Sequence, residues 1–129
     1  MGILGASNPA PGTGKSLNYI GNHAYANSGF ASFDNTATTL LEFVTGSGYV
    51  TAHILAMRND SDGLDSSHRI YIDNELVGAI PISAGANALG GQPVIILLVP
   101  YSRVKIDVIN TANTSTGQGG VSITGRIYQ

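Results

Sequence analysis

The sequence predicts an all-β fold, an antiparallel sandwich or barrel of about eight strands. Three observations point there. Apolar runs of 5–9 residues alternate with Gly, Asn, Asp and Ser at short intervals. No segment sustains the 3.6-residue period of an amphipathic helix. Residues 103–109 alternate strictly, with Val104, Ile106 and Val108 set against Arg103, Lys105 and Asp107, as a strand with one wet face should.

The elements follow in order. Residues 1–16 are rich in Gly, Ala, Ser and Pro without hydrophobic period, and read as an extended N-terminal arm. Leu17–Tyr25 is a first strand, and Gly29–Asp34 is a short one carrying Phe30 and Phe33. Thr38–Thr45 follows, ending at the turn Gly46-Ser47-Gly48. Tyr49–Arg58 puts Val50, Ala52, Ile54 and Ala56 on one face and Tyr49, Thr51, His53 and Leu55 on the other. Residues 59–67 form an acidic loop. Arg69–Asp73 and Leu76–Ile82 flank Asp73-Asn74-Glu75, a tight hairpin turn, because Asp and Asn tolerate left-handed backbone angles. Residues 83–91 are a loop. The continuous run Val94-Ile95-Ile96-Leu97-Leu98, within 92–99, reads as a strand covered on both faces, by a second sheet and by the arm or a neighbouring subunit. After Arg103–Ile109 come a polar loop (111–120) and Val121–Tyr128. Residues 17–129 therefore form one domain, the usual size for a single core.

Composition narrows the function. Only 11% of the 129 residues are charged, under half the globular norm of about 25%. Surface polarity must come from Asn, Ser, Thr and Gly, as in proteins that pack against copies of themselves. The net charge is −2, and six Lys and Arg are scattered along the chain. No basic stripe awaits phosphates, so no nucleic-acid partner is expected. With no Cys, disulfides and thiolate metal sites are excluded. No apolar run approaches the length of a membrane span, and the first residues lack the charge and apolar core of a signal peptide. Synthesis and folding in a cytoplasm are expected, with no membrane partner.

Segments that look chemical fail on detail. Gly12-Thr13-Gly14-Lys15-Ser16 evokes a phosphate-binding loop, but position 9 is Pro where that motif needs Gly, and no helix pattern follows. The region 59–65 offers Asp60, Asp62 and Asp65 as candidate ligands for a hard cation. In a calcium-loop register, however, Arg58 and Arg69 would fill the first and last ligand positions. His23, His53 and His68 lack zinc-site spacing. No strained Gly-x-Ser-x-Gly elbow or concave carboxylate pair is visible. The expectation is a non-enzyme with no cofactor and no assigned catalytic or metal residue. Tyr19, Tyr25, Tyr49, Tyr71, Tyr101 and Tyr128 could stack on sugars, but they are spread over nearly every strand, as core and interface tyrosines are.

Five stretches carry a likeness: His23-Ala24-Tyr25-Ala26-Asn27-Ser28-Gly29; Thr38 through Tyr49; Ile70 through Val77; Ile96 through Ile106; and Thr124-Gly125-Arg126-Ile127-Tyr128. Across residues 20–128 the chain resembles small phage-encoded virion structural proteins of the capsid decoration or head-fibre type. The resemblance implies a jelly-roll-like β-sandwich and a virion location. It carries no functional residue across, because these are strand and turn patterns. The resulting expectation is a homo-oligomer, a trimer, that binds the major capsid protein or another virion protein. The arm and the face near Arg103 and Lys105 would touch the shell. The alternative is a tail or fibre module whose loops 59–67, 83–91 and 111–120 recognise host-surface carbohydrate.

Overall fold

Alternation of apolar and polar side chains leaves each strand with one face to bury, and two sheets bury theirs against each other. A computed structural model describes residues 17–58, 65–82, 88–89, 93–112 and 114–128. In chain order its strands are β1 (Asn18–Ile20), β2 (His23–Asn27), β3 (Ala31–Phe33), β4 (Thr38–Val44), β5 (Tyr49–Arg58), β6 (Ser66–Ile72), β7 (Glu75–Ile82), β8 (Ala88–Leu89), β9 (Val94–Leu98), β10 (Arg103–Asn110) and β11 (Gly117–Tyr128). A seven-stranded sheet runs β1-β2-β11-β5, with β3 on β11 and both β8 and β9 on β5; a four-stranded sheet runs β4-β10-β6-β7. All pairings are antiparallel.

The path between sheets defines the architecture. The chain crosses from β2–β3 to β4, back to β5, over to the β6–β7 hairpin, back to β9, over to β10 and back to β11. Neighbouring orders β2-β11-β5-β9 and β4-β10-β6-β7 are those of an eight-position jelly roll. Eight of the expected stretches fill those positions; the remaining one, Gly29–Asp34, is the short β3, and β1 and β8 are further short strands. The expected first strand divides because Gly21 takes φ +59°, turning β1 back onto β2 as a hairpin. Ser66 and Gly117 begin strands that the sequence places later, at Arg69 and Val121. Gly46-Ser47-Gly48 is a corner between sheets rather than a hairpin, since β4 and β5 lie in different sheets. Thr45 fastens that corner: its hydroxyl donates to Val99 O (2.7 Å) and accepts from Ser102 N (2.8 Å).

The core lies between the sheets. Val50, Ala52, Ile54 and Ala56 of β5 meet Val104, Ile106 and Val108 of β10, and all are buried. Leu40 and Leu41 are both buried although adjacent. The reason is a bulge: Ile106 faces Leu41 and Asp107 faces Thr39, so Leu40 is the extra residue. The β6–β7 turn is as expected. Asp73 (φ 51°) and Asn74 (φ 68°) are both left-handed, the backbone of a type I′ hairpin.

Candidate self-association face

The outward face of the seven-stranded sheet is built by strand parity. With Val50, Ala52 and Ile54 pointing in, Tyr49, Thr51, His53 and Leu55 point out, as the sequence predicts. Cross-strand register then assembles rows. Asn18, Tyr25, Thr124, His53 and Ile95 form one row across the sheet. Ile20, His23, Arg126, Thr51 and Leu97 form the next, and Tyr128 pairs with Tyr49 beyond it. Ile20 (67% exposed), Ile95 (62%) and Leu97 (54%) stand in solvent beside Tyr25, Tyr49 and Tyr128. The run at 94–98 is thus half as covered as its sequence implies: Leu98 is buried, but Ile95 and Leu97 have nothing over them among the described residues.

The charge of this face is one-sided. None of its seven strands contains Asp or Glu. Arg126 stands exposed with its guanidinium carbon 5.8 Å from the Tyr128 ring centre, where the cation meets the ring's electron-rich face. His23, Tyr25, His53, Thr124, Gly125 and Arg126 line a shallow hollow, and the His23 and Tyr25 rings lie 6.3 Å apart.

The opposite outward face is saturated. Arg69 donates to both carboxylate oxygens of Asp107 (2.9 and 3.2 Å), a fork geometry that only guanidinium supplies. The hydrogen bond from Arg69 to Asp107 raises the Arg69 pKa above its usual value against the opposing effect of burial. Arg103 approaches Glu42 at 3.5 Å. Tyr71 takes Lys105 at 4.9 Å and Arg69 at 5.8 Å from its ring centre. Arg103 and Lys105, the expected shell contacts, therefore already have partners within the chain.

Between the faces lies a polar seam. His68 on β6 is fully buried, and its Nε2–H donates across the core to Gly120 O on β11 at 3.0 Å. Its Nδ1 has no hydrogen-bond partner among the described residues. Burial pushes the imidazole down to about 4 from its ordinary 6.5, with Arg58 adding to the shift and the carbonyls of Gly120 and Met57 opposing it. His68 is therefore neutral at pH 7 and ties the sheets together. The nearby Arg58, also fully buried, donates to Ser66 Oγ (3.4 Å) and Ile82 O (3.3 Å). Gly120 has no room for a side chain, since a Cβ there would collide with the Gly29 carbonyl.

The structure does not gather the acidic candidates. Asp60 and Asp62 lie outside the described residues, as do the arm and Gly12–Ser16. Asp65 is described, and its carbonyl accepts from Thr111 N at 2.9 Å. Among the described residues no three His, Cys, Asp or Glu converge as metal ligands. The tyrosines separate: Tyr25, Tyr49 and Tyr128 share the acid-free face, Tyr71 lies between cations, Tyr19 accepts from Gly46 N, and Tyr101 is exposed at a corner with φ 57°. Strand-by-strand reading hides that grouping. The signal was available in the absence of Asp and Glu from strands that end up side by side. His68 was legible too, since it shares parity with the inward Ile70.

No family model matches the chain, and no curated protein matches its sequence. Solved structures share its outline. VP2 of an infectious bursal disease virus subviral particle aligns with TM-score 0.49 and 12% identity over 95% of this chain and 38% of that one. A Bacillus endospore appendage subunit, from disulfide-linked pili, aligns with TM-score 0.47 and 12% identity over 94% and 99%. Eiger TNF from S. frugiperda aligns with TM-score 0.43 and 10% identity over 81% and 92%. The chain spans well under half of VP2. The structural neighbours are β-rich proteins that include virus-particle proteins and a spore pilus subunit.

Proposed function

We propose that this protein is a non-enzymatic structural subunit that self-associates through the outward face of its seven-stranded sheet and serves in a phage virion as a capsid decoration protein. One observation carries the self-association: six large apolar side chains, Ile20, Tyr25, Tyr49, Ile95, Leu97 and Tyr128, stand exposed together on a face without a single carboxylate. Scattered exposed apolar residues need no explanation, but Tyr128, Tyr49, Leu97 and Ile95 are neighbours on adjacent strands, with Ile20 and Tyr25 grouped on the far side of Arg126, and such groups mark an interface. The size fits a second copy. The five strands β1, β2, β11, β5 and β9 hold 3, 5, 12, 10 and 5 residues; at about 3.3 Å along and 4.8 Å across for each residue they cover roughly 550 Å², near the low end of what each partner contributes to a specific interface. The virion assignment rests on the likeness in residues 20–128 and on the low charge. The ion-paired face around Arg103 and Lys105, with the arm, is left for the capsid.

Sedimentation velocity of the purified chain tests the first part: an oligomer is expected, and a monomer at tens of micromolar overturns it. Co-sedimentation with capsids lacking the protein tests the second, with retention in the capsid pellet expected. The three tyrosines on one face also suit sugar stacking. A glycan array that binds the chain specifically, while capsids do not, replaces decoration with receptor recognition.

A further inference from the structure

Resting on that self-association reading, we infer that the second copy docks head to tail: its β6–β7 hairpin tip, Glu75-Leu76-Val77, seats on the acid-free face beside Arg126. Charge selects the tip. Two copies of this face packed against each other would cover both Arg126 guanidiniums with no acid from the strands of either face to pair them. The complement must come from elsewhere on the molecule. Among the described carboxylates, Asp107 is bound to Arg69 and Glu42 faces Arg103. Asp34 accepts from Thr36 N, Asp73 accepts from Arg103 N, and Asp65 is likewise engaged within the chain. Glu75 is exposed, and its carboxylate makes no ion pair or hydrogen bond among the described residues.

Shape selects the same segment. Leu76 (55% exposed) and Val77 (46%) flank Glu75. A register shift opposite Ile70/Tyr71 leaves Val77 as a bulge residue on the sheet edge. The tip thus offers one acid and two apolar side chains, the complement of one cation among Ile20, Leu97 and Tyr49. It is also held in place before binding. Both turn residues sit in a type I′ backbone, and Asp73 N donates to Arg103 O at 2.8 Å while Arg103 N donates to Asp73 Oδ1 at 2.9 Å. A preformed segment loses little entropy on docking.

Placement permits a ring. A Cβ on Gly78 would meet Ile70 Cδ1 and Ile96 Cδ1, both at 3.6 Å, so β7 lies above β9. The tip projects from the sheet opposite the face and cannot fold back onto it. Its anchor at Arg103 is at the end of the sandwich where Tyr101 N meets Gly46 O and β5 begins with Tyr49. Tip and face therefore share one end of the molecule, and rotation about an axis along the strands brings the tip of one copy to the face of the next. Unlike surfaces joined this way form a ring when the rotation closes and an open filament when it does not.

Charge reversal on the full-length chain tests the docking by sedimentation over a concentration series. Glu75→Arg and Arg126→Glu should each raise the dissociation constant by about tenfold or more, and the double variant should return to within roughly threefold of the parent. Both positions are exposed, so folding should be unaffected, and thermal unfolding checks this. Leu76→Asp supplies a second break at the tip without touching the face. A double variant no tighter than the weaker single, or tip variants that associate like the parent, overturns head-to-tail docking. If Leu97→Asp still dissociates the assembly in that case, the self-association reading stands alone. A parent chain that is monomeric overturns both.

Discussion

The two outward faces of this sandwich solve the same problem differently. The four-stranded sheet carries Glu42, Asp107, Arg69, Arg103 and Lys105 and satisfies nearly all of them on the spot, by ion pairs and by cations over Tyr71. The seven-stranded sheet has no acid at all and leaves Ile20, Ile95 and Leu97 in water. A protein with so few charges could have spread them evenly. Concentrating them on one side leaves the other without the charged residues that usually keep sheet faces and edges apart. The β9 edge sharpens the contrast, with five apolar residues in succession and no Pro or Lys to discourage pairing.

Substitutions that swap character between the faces test this contrast. The largest effect is expected from Ile95→Asp combined with Leu97→Asp. Burying two new carboxylates at each contact should weaken association by about a thousandfold or more, read by light scattering after size exclusion, with the monomer still folded. Acid comes next. His68 takes up its proton near 6.5 in the unfolded chain but only near 4 when folded. Its contribution is complete above pH 6.5 and is lost as pH falls toward 4, about 3 kcal/mol in all. Urea unfolding across that range should show the loss, and His68→Leu should flatten it; association should therefore be compared above pH 6.5. Asp107→Ala should cost roughly 1–3 kcal/mol in the same assay, because Asp107 is nearly buried while Arg69 keeps some solvent. Glu42→Gln should change stability by less than about 0.5 kcal/mol, since both partners of that pair are exposed. A large effect there would mean that the charged face is also an interface.

Much of the fold was legible because parity is local. Val104, Ile106 and Val108 declare the inward face of β10, and Asp73-Asn74 declares its turn, without knowledge of any other strand. What was not legible is non-local. Whether Ile95 is covered is decided by what lies over β9 in space rather than by its neighbours in sequence, so a run that reads as doubly buried is half exposed among the described residues. Tyr25, Tyr49 and Tyr128 look dispersed until β2, β5 and β11 pair. The Leu40 bulge was hidden because adjacent buried leucines do not say which strand is bent. The split at Gly21 required knowing that its backbone is left-handed.

The position of β11 sets a timetable for synthesis. This strand pairs with β2, β3 and β5 at once, yet it leaves the ribosome long after them. From the end of β5 at Arg58 to Tyr128, translation at 5–20 residues per second takes roughly 4–14 s. Throughout that interval β2 and β5 have no central strand between them, so the rows that bring Tyr25 beside Thr124 and His53 do not exist. The outward face proposed for self-association is therefore built only when β11, the last strand, is added.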